Sequence, residues 1–358
     1  TIFERVGFVW KRLGFVPRMV LRRLARTKAR AALSAFGVAL SVSILMLTFF
    51  SYDAMDVLID NQYRLVERHD VRVVFHNERG RSALYDLRAL DGVLQAEPEL
   101  GVAVKLVHGW RERTTALTGL PQGHRLFALL DADLRHVPLP RDGILLSRKL
   151  AQLLGVRVGE SLEVRVLTGT KPVFSVPVAS GIDEYLGAFA YADIQTLSGW
   201  IDDPGVMTGA RLRIDPAQAD RLGETLKSLP AVASVSYRDD QKRLLQAMLQ
   251  ESQDIMLGVL VIFAGIITFG VLYNAARISL QERHRELGAL RVLGFTHGEV
   301  SRVLVGENMM LVLLALAPGV SLGAFFAWAL TKAYDTDLYR FPIVLHPETV
   351  HKTAALTV

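Results

Sequence analysis

The chain has 358 residues, 51% of them hydrophobic and 22% charged, with a formal net charge of +5 and no cysteine. The apolar residues are bunched rather than spread, which excludes an ordinary soluble globular protein, and the lack of cysteine excludes disulfides and thiolate metal sites. The positive surplus sits in one short arm, so it does not describe a nucleic-acid-binding face, which needs basic residues clustered on a folded surface.

That arm is residues 1–31, with nine Lys/Arg against the single acid Glu4. Its stretch KRLGFVPRMVLRRLARTKAR sets Leu, Val and Met between the cations. Two readings stay open, an amphipathic helix lying on anionic headgroups and a plain positive flank of a membrane segment. Ala31–Ser51 follows without a charge, and Ile255–Ala276 and Asn308–Thr331 are charge-free as well. Each reaches the roughly 20 helical residues that cross a bilayer. Lipid offers backbone groups no partner, so each is expected to be a helix. The first is no cleavable signal, because its apolar core is too long and about thirty residues precede it. With Thr1 at its start, the chain reads as a piece of a longer polypeptide.

The arm's cations place it in the cytoplasm. Two crossings later, residues 277–307 return there, with five basic and four acidic residues. The connection 51–254 then lies outside, with 24 basic and 28 acidic residues. At its start, Met55, Leu58, Ile59, Leu65 and Val66 recur at helical spacing. At its end, Leu244, Leu245, Met248 and Leu249 make a second stripe. Two helices are therefore expected to form a stalk, each burying its stripe on the other. Between them, strands are expected at 71–75, 102–109, 161–169, 174–182 and 232–238. Helices are expected at 82–97, 147–155 and 216–230, the second closed by Gly155.

The resulting fold class is membrane α-helical with a large extracytoplasmic α/β domain. The arm covers 1–31, the first transmembrane helix and stalk 32–66, and the outer α+β domain 67–236. The returning stalk and second transmembrane helix cover 237–279, a cytoplasmic loop 280–303, and the third transmembrane helix 304–331. An extracytoplasmic segment, 332–358, leads toward a fourth helix that is missing from the chain. In the third crossing, Gly319, Gly323 and Ala327 line up one turn apart, a spacing that lets helices approach closely in lipid. Gly37, Ser41 and Leu45 make a weaker version in the first.

The loop RISLQERHRELGALRVLGFTHGEVSRVLVGEN (277–308) is expected to be a helix from Arg277 to Arg285, a turn around Gly288, and a second helix from His297. Leu287, Leu290, Val292 and Leu293 need something to bury against, and no other cytoplasmic domain is on offer. Docking of a separate cytoplasmic protein and a hairpin lying on the membrane surface both fit.

The stretch ERHRELGALRVLGF closely resembles the coupling-helix signature of FtsX-like permeases, the family with the MacB-type and lipoprotein-exporting ABC systems. There the pattern is roughly R-E-x-G-x-L-R-x-L-G, matched here by Arg285, Glu286, Gly288, Leu290, Arg291, Leu293 and Gly294. Glu307 sits where the family places a glutamate entering the next crossing. LRRLARTKARAALSAFGVAL resembles the family's entry to its first crossing, and DGILLSRKLAQLLGVRVGESLEV its MacB-like outer core domain.

The resemblance implies a type VII ABC permease subunit of the bacterial inner membrane, multi-pass, with FtsX-like architecture and stalk helices. A cytoplasmic ABC ATPase dimer would dock on Arg283, Arg285, Glu286, Leu287, Gly288, Leu290, Arg291, Leu293 and Gly294. ATP and Mg would belong to that partner, with no catalytic residue, cofactor or metal on this chain. Its closure would move the stalk and outer domain to export or extract a substrate such as a lipid, lipoprotein or other amphiphile. A second permease half or subunit is implied, and a periplasmic adaptor or lipoprotein is a further expected partner. The family has four crossings where this chain has three, which fits the C-terminal half of a longer ten-helix permease. A mechanotransmitting subunit that activates a cell-wall hydrolase or senses a peptide shares the same motif.

No GxxxxGK[ST] loop and no HExxH occur. His69 and His76 lie seven apart on an expected strand and so face opposite sides. Asp183–Glu184 reads as an exposed turn in preference to a carboxylate pair, and Ser147 lacks a nucleophile elbow. Phe174, Tyr185, Phe189 and Tyr191 read as core packing before an apolar groove for a lipid-like substrate.

Overall fold

The computed structural model describes residues 28–131, 133–184, 187–282, 296–333 and 347–357. Two compact units divide them. The helical unit contains α1 (Lys28–Asp60) up to Met55, α6 (Arg238–Glu282) from Gln250, α7 (His297–Ala333) and α8 (Pro347–Thr357). Three spans, Ala31–Val66, Arg238–Ile278 and Asn308–Lys332, are long and apolar enough to cross a membrane. Pro318 sits within the continuous helix α7, as tolerated where neighbouring helices meet the freed backbone groups.

These helices meet through small and branched residues. Val38, Ala39 and Val42 of α1 form one buried cluster with Val312 and Ala315 of α7, flanked by Val271 and Leu272 of α6. Ser41 Oγ donates to the Ala264 carbonyl at 3.0 Å, tying α1 to α6. α8 places Thr349 and Thr353 against α1, where Thr349 Oγ1 donates to Asp53 and Thr353 Oγ1 meets Met46 Sδ at 3.8 Å. The tail expected only to lead toward a further helix is thus itself helical at its end.

The outer unit, Asp56–Leu249, opens with a π-helical segment, Asn61–Val66, and holds nine strands. They are β1 (Val71–Arg79), β2 (Val93–His108), β3 (Arg111–Leu120), β4 (Ile144–Ser147), β5 (Ser161–Val166), β6 (Val173–Ile182), β7 (Ala190–Asp193), β8 (Met207–Ile214) and β9 (Val232–Tyr237). Four short helices accompany them, α2 (Ser82–Arg88), α3 (Arg148–Leu154), α4 (Ile194–Trp200) and α5 (Ala219–Ser228).

The long strand β2 serves two layers. Its first half, Val93–Glu99, pairs antiparallel with β8 in the open order β2-β8-β1-β9. Val71, Val73, Ala210 and Leu212 face inward there, onto Leu87 of α2 and Leu222 and Leu226 of α5. Its second half, Leu100–His108, pairs with both β3 and β5 and so closes the ring β2-β3-β7-β4-β6-β5. Leu106, Leu117, Ile144, Val164 and Val176 fill that ring. Both cores follow the two-residue period of strand side chains.

The expected helix over 82–97 ends early. α2 stops at Arg88, and Gly92 takes φ 91°, open at low cost only to glycine. Val93 onward joins β8, because Ala96 alternates into the core that strands 71–75 and 207–214 build. The expected helix over 147–155 forms, and Gly155 closes it in the left-handed conformation at φ 67°.

Along the expected stalk, α1's stripe contains buried residues and α6's is mixed, with Leu245 and Leu249 half-buried. Leu58 and Ile59 are 2% exposed, yet Leu244 and Met248 of α6 are 65% and 62% exposed. Leu58 borders a cavity of the outer unit. Lys242 still reaches Asp60 at 3.6 Å.

Candidate functional site

The expected ATPase-docking residues Arg283, Arg285, Glu286, Leu287, Gly288, Leu290, Arg291, Leu293 and Gly294 lie outside the described residues, as does Tyr185. On either side, α6 runs through Arg277 to Glu282 and α7 starts at His297.

Gly319, Gly323 and Ala327 lie within α7. A Cβ on Gly319 would stand 2.6 Å from Val42 Cβ and 3.1 Å from the Ala39 carbonyl oxygen. One on Gly323 would stand 2.6 Å from Met46 Cβ. Ala327 is 1% exposed. Hydrogen alone fits at the two glycines, so the α1 and α7 backbones approach at these points as small residues permit in lipid. Toward α6, a Cβ at Gly37 would meet Val271 at 2.9 Å.

The outer unit contains a buried charged site with no local signature in the sequence. β1, β2 and β8 direct Val71, Val73, Ala96, Ala210 and Leu212 into one core, so the alternate residues Arg72, Glu99 and Arg211 share the opposite face. Arg72 grips the Glu99 carboxylate with both Nη2 at 2.7 Å and Nε at 3.1 Å, and Arg211 Nη2 adds a contact at 3.2 Å. Burial alone would raise the Glu99 pKa, but the Arg211 and Arg72 charges outweigh it and hold the carboxyl below its ordinary range. Beside it, burial and then the Arg211 charge push His69 down to about 4, so the ring stays neutral.

The Arg211 guanidinium lies 4.2 Å over the Phe127 ring, a cation–π contact that strengthens when desolvated. Phe127 is held in turn by the backbone. Arg68 N donates to Leu126 O and Ala128 N to Val66 O, so this loop pairs with the chain leaving the π-helical segment. The Glu97 carboxylate accepts from Arg125 N and Leu126 N at 2.9–3.1 Å.

Arg72, Glu99, Arg211 and Phe127 border a cavity of about 320 Å³, lined also by Glu67, Glu184, Phe189 and Tyr191. Glu184 is the reversal of its expected role as an exposed turn. Tyr191 Oη donates to its Oε1 at 2.9 Å, while its Oε2 is buried without a partner among the described residues. Burial raises the Glu184 pKa to about 7, against a smaller lowering by the Tyr191 hydrogen bond. Burial also raises Glu67, which accepts from Gln62 Nε2 at 3.0 Å. Asp183 instead pairs with Arg148 at 2.8 Å.

Of the aromatic residues read as core, Phe174 packs on Trp200 at 5.5 Å between centroids, whereas Phe189 and Tyr191 wall the cavity. His69 precedes β1 and is 2% exposed, and His76 is exposed within β1. Ser147 caps α3, accepting from Leu150 N. Among the described residues no group of three or more His, Asp or Glu side chains could hold a metal ion.

Residues 258–355 match the family described as FtsX-like permease C-terminal. A stretch of 218 residues, 60% of this chain, is 24% identical to the ABC transporter permease protein Rv0987 of Mycobacterium tuberculosis. That match takes in 25% of the relative's length, so the chain spans about a quarter of it. Among solved structures, the extracellular domain of the ABC-type transporter YknZ from Gram-positive bacteria is similar over 46% of this chain and 99% of that one, at 14% identity and a TM-score of 0.33. The periplasmic region of MacB from Actinobacillus actinomycetemcomitans is similar over 52% of this chain and 97% of that one, at 15% identity and a TM-score of 0.34. The C-terminal segment is therefore similar to FtsX-like permeases, and a stretch of 218 residues is similar to an ABC transporter permease. The loop motif that carries the resemblance lies inside the matched segment.

Proposed function

We propose that this chain is the permease part of an FtsX/MacB-type ABC transporter of the bacterial inner membrane. A separate cytoplasmic ATPase dimer, carrying ATP and Mg, drives it through the loop at 283–294. A second permease half or subunit completes the assembly. The family match over 258–355 carries the reading, since it spans the loop and the helices on both sides.

Two observations support the mechanical part. Helix α1 is continuous from Lys28 to Asp60 and α6 from Arg238 to Glu282. Such helices transmit displacement along their axes better than a loop does. Gly319 and Gly323 let α7 seat closely on α1, so a push on the loop before α7 reaches α1 through packed side chains. The outer unit then moves to release or extract an amphiphilic substrate at the outer face.

The test is co-purification of the chain with its ATPase and measurement of ATP hydrolysis in lipid nanodiscs. Reversing charge at Arg285, Glu286 and Arg291 should abolish stimulation of the ATPase while leaving the amount of membrane-inserted chain unchanged. Full stimulation by that triple variant would overturn the docking assignment. Recovery of a hydrolase in place of an exported molecule would redirect the output to signalling and keep the coupling.

A further inference from the structure

We propose that the cavity of the outer unit binds a small amphiphilic amine, its protonated nitrogen meeting Glu184 and its apolar body lying against Phe189, Tyr191 and Phe127. The lining residues all belong to the outer unit, and ligand binding there does not depend on ATPase coupling.

The volume is suitable, since about 320 Å³ falls in the range of small-molecule sites, roughly 300–1,000 Å³. The walls combine an aromatic face with a few buried polar groups, as such sites do. Charge then selects the ligand. The cavity is bordered by the cations Arg72 and Arg211 and by the acids Glu67, Glu99, Asp131 and Glu184. Glu99 already engages both arginines. Asp131 Oδ1 accepts from Asp133 N and Arg135 N, and Glu67 accepts from Gln62. What is left over is Glu184, with Oε2 buried and unpartnered among the described residues.

An anion entering here would meet arginines already neutralised and carboxylates that are not. A neutral ligand would leave Glu184 without a counter-charge. An ammonium supplies both the missing donor and the missing charge, and a charge-assisted hydrogen bond of that kind is about twice as strong as a neutral one. Two features place the site where occupancy matters to the fold. Gln62 and Val66 of the π-helical segment line it, and such segments recur at functional sites. Leu134 holds φ 61° in the lip formed by the Asp131 turn, a strained conformation for a branched side chain that the surroundings must hold in place.

The test uses the full chain in lipid nanodiscs, with calorimetric titration against empty discs. Three probes share an indole body and differ in charge: tryptamine, the uncharged tryptophol, and indole-3-propionate. At about pH 8, where Glu184 is ionised, tryptamine should bind at least tenfold more tightly than either of the others. Glu184→Gln should remove that preference. Tyr191→Phe should keep it, because the carboxylate remains. The wild-type comparison needs no variant to fold. Equal binding of the three probes, preference for the propionate, no binding of any probe up to about 10 mM, or a preference that survives Glu184→Gln would each overturn the proposal.

Discussion

The two units of this chain satisfy their buried polar groups by opposite means. In the helical unit, polar side chains turn back on backbone carbonyls. Ser43 bonds Leu40 O, Thr48 bonds Ile44 O, and Ser41 reaches Ala264 O on a neighbouring helix. The half-buried Asp53 accepts there from the buried Thr349, and the helices rely on glycine and alanine to come close. The outer unit buries Arg211 and Glu99 together, with the more exposed Arg72 gripping the same carboxylate, and leaves a second glutamate half satisfied among the described residues. Lipid gives nothing to a polar group, whereas a water-facing domain can carry an ion cluster if its partners are complete. Cohesion in the first unit is therefore steric, and in the second it depends on charge balance.

Breaking the charge balance should have the largest effect. Glu99→Ala leaves Arg211 buried and uncompensated, which should destabilise the outer unit by about 3–5 kcal/mol. Denaturant unfolding followed by near-ultraviolet circular dichroism reads this. A loss below about 1 kcal/mol would mean that the cluster is solvated and contributes as little as a surface pair.

The next effect is a change of sign with pH. Glu184 sits at about 7 against an ordinary 4.5, so the folded chain keeps a proton that the unfolded chain releases. Its contribution is present below pH 4.5 and is lost as pH rises toward 7. His69, held at about 4 against 6.5, does the reverse, destabilising as pH falls from 6.5. In the wild type the two oppose one another between pH 4.5 and 6.5. Glu184→Gln removes one side, so the stability of wild type minus variant should fall by about 3 kcal/mol across the Glu184 window. A difference that stays flat would mean that Glu184 is not held protonated by burial.

The steric unit responds more modestly. Gly323→Leu drives a side chain into Met46 and Ser43, and should cost about 1–3 kcal/mol as overpacking does. Gly265→Leu on α6, whose added Cβ meets nothing within 4 Å, is the matched control. Resistance of the two variants to unfolding in mixed micelles compares them, and equal loss would remove the special role of the α1–α7 approach.

The same contrast explains what the sequence makes legible. The three long helices are evident because a charge-free run of span length has few other meanings. The strands at 71–75 and 174–182 alternate cleanly and form. VLQAE after Gly92 is misleading, since its spacing fits a helix, yet its Ala96 is recruited to a sheet assembled from remote strands. Strands β3, β4, β7 and β8 are short or carry Gly and Thr, and only pairing with distant neighbours defines them. The site is harder still. Arg72, Glu99 and Arg211 stand far apart along the chain and meet because three strands share a register. Asp183–Glu184 beside Gly181 has the composition of a turn, and nothing local shows that Tyr191 and Phe189 will close over it.

ATPase docking requires the loop 283–295 to lie on the opposite side of the membrane from the outer unit. The chain has no cysteine, so single thiols report cleanly. His297→Cys, at the start of α7, and Trp110→Cys, at an 86% exposed outer position, can be labelled with a membrane-impermeant maleimide in sealed vesicles of known orientation. The proposed topology requires that Trp110→Cys react from the external face and His297→Cys only from the cytoplasmic one. Reaction of both from the same face would contradict it and remove the basis for docking an ATPase on this loop.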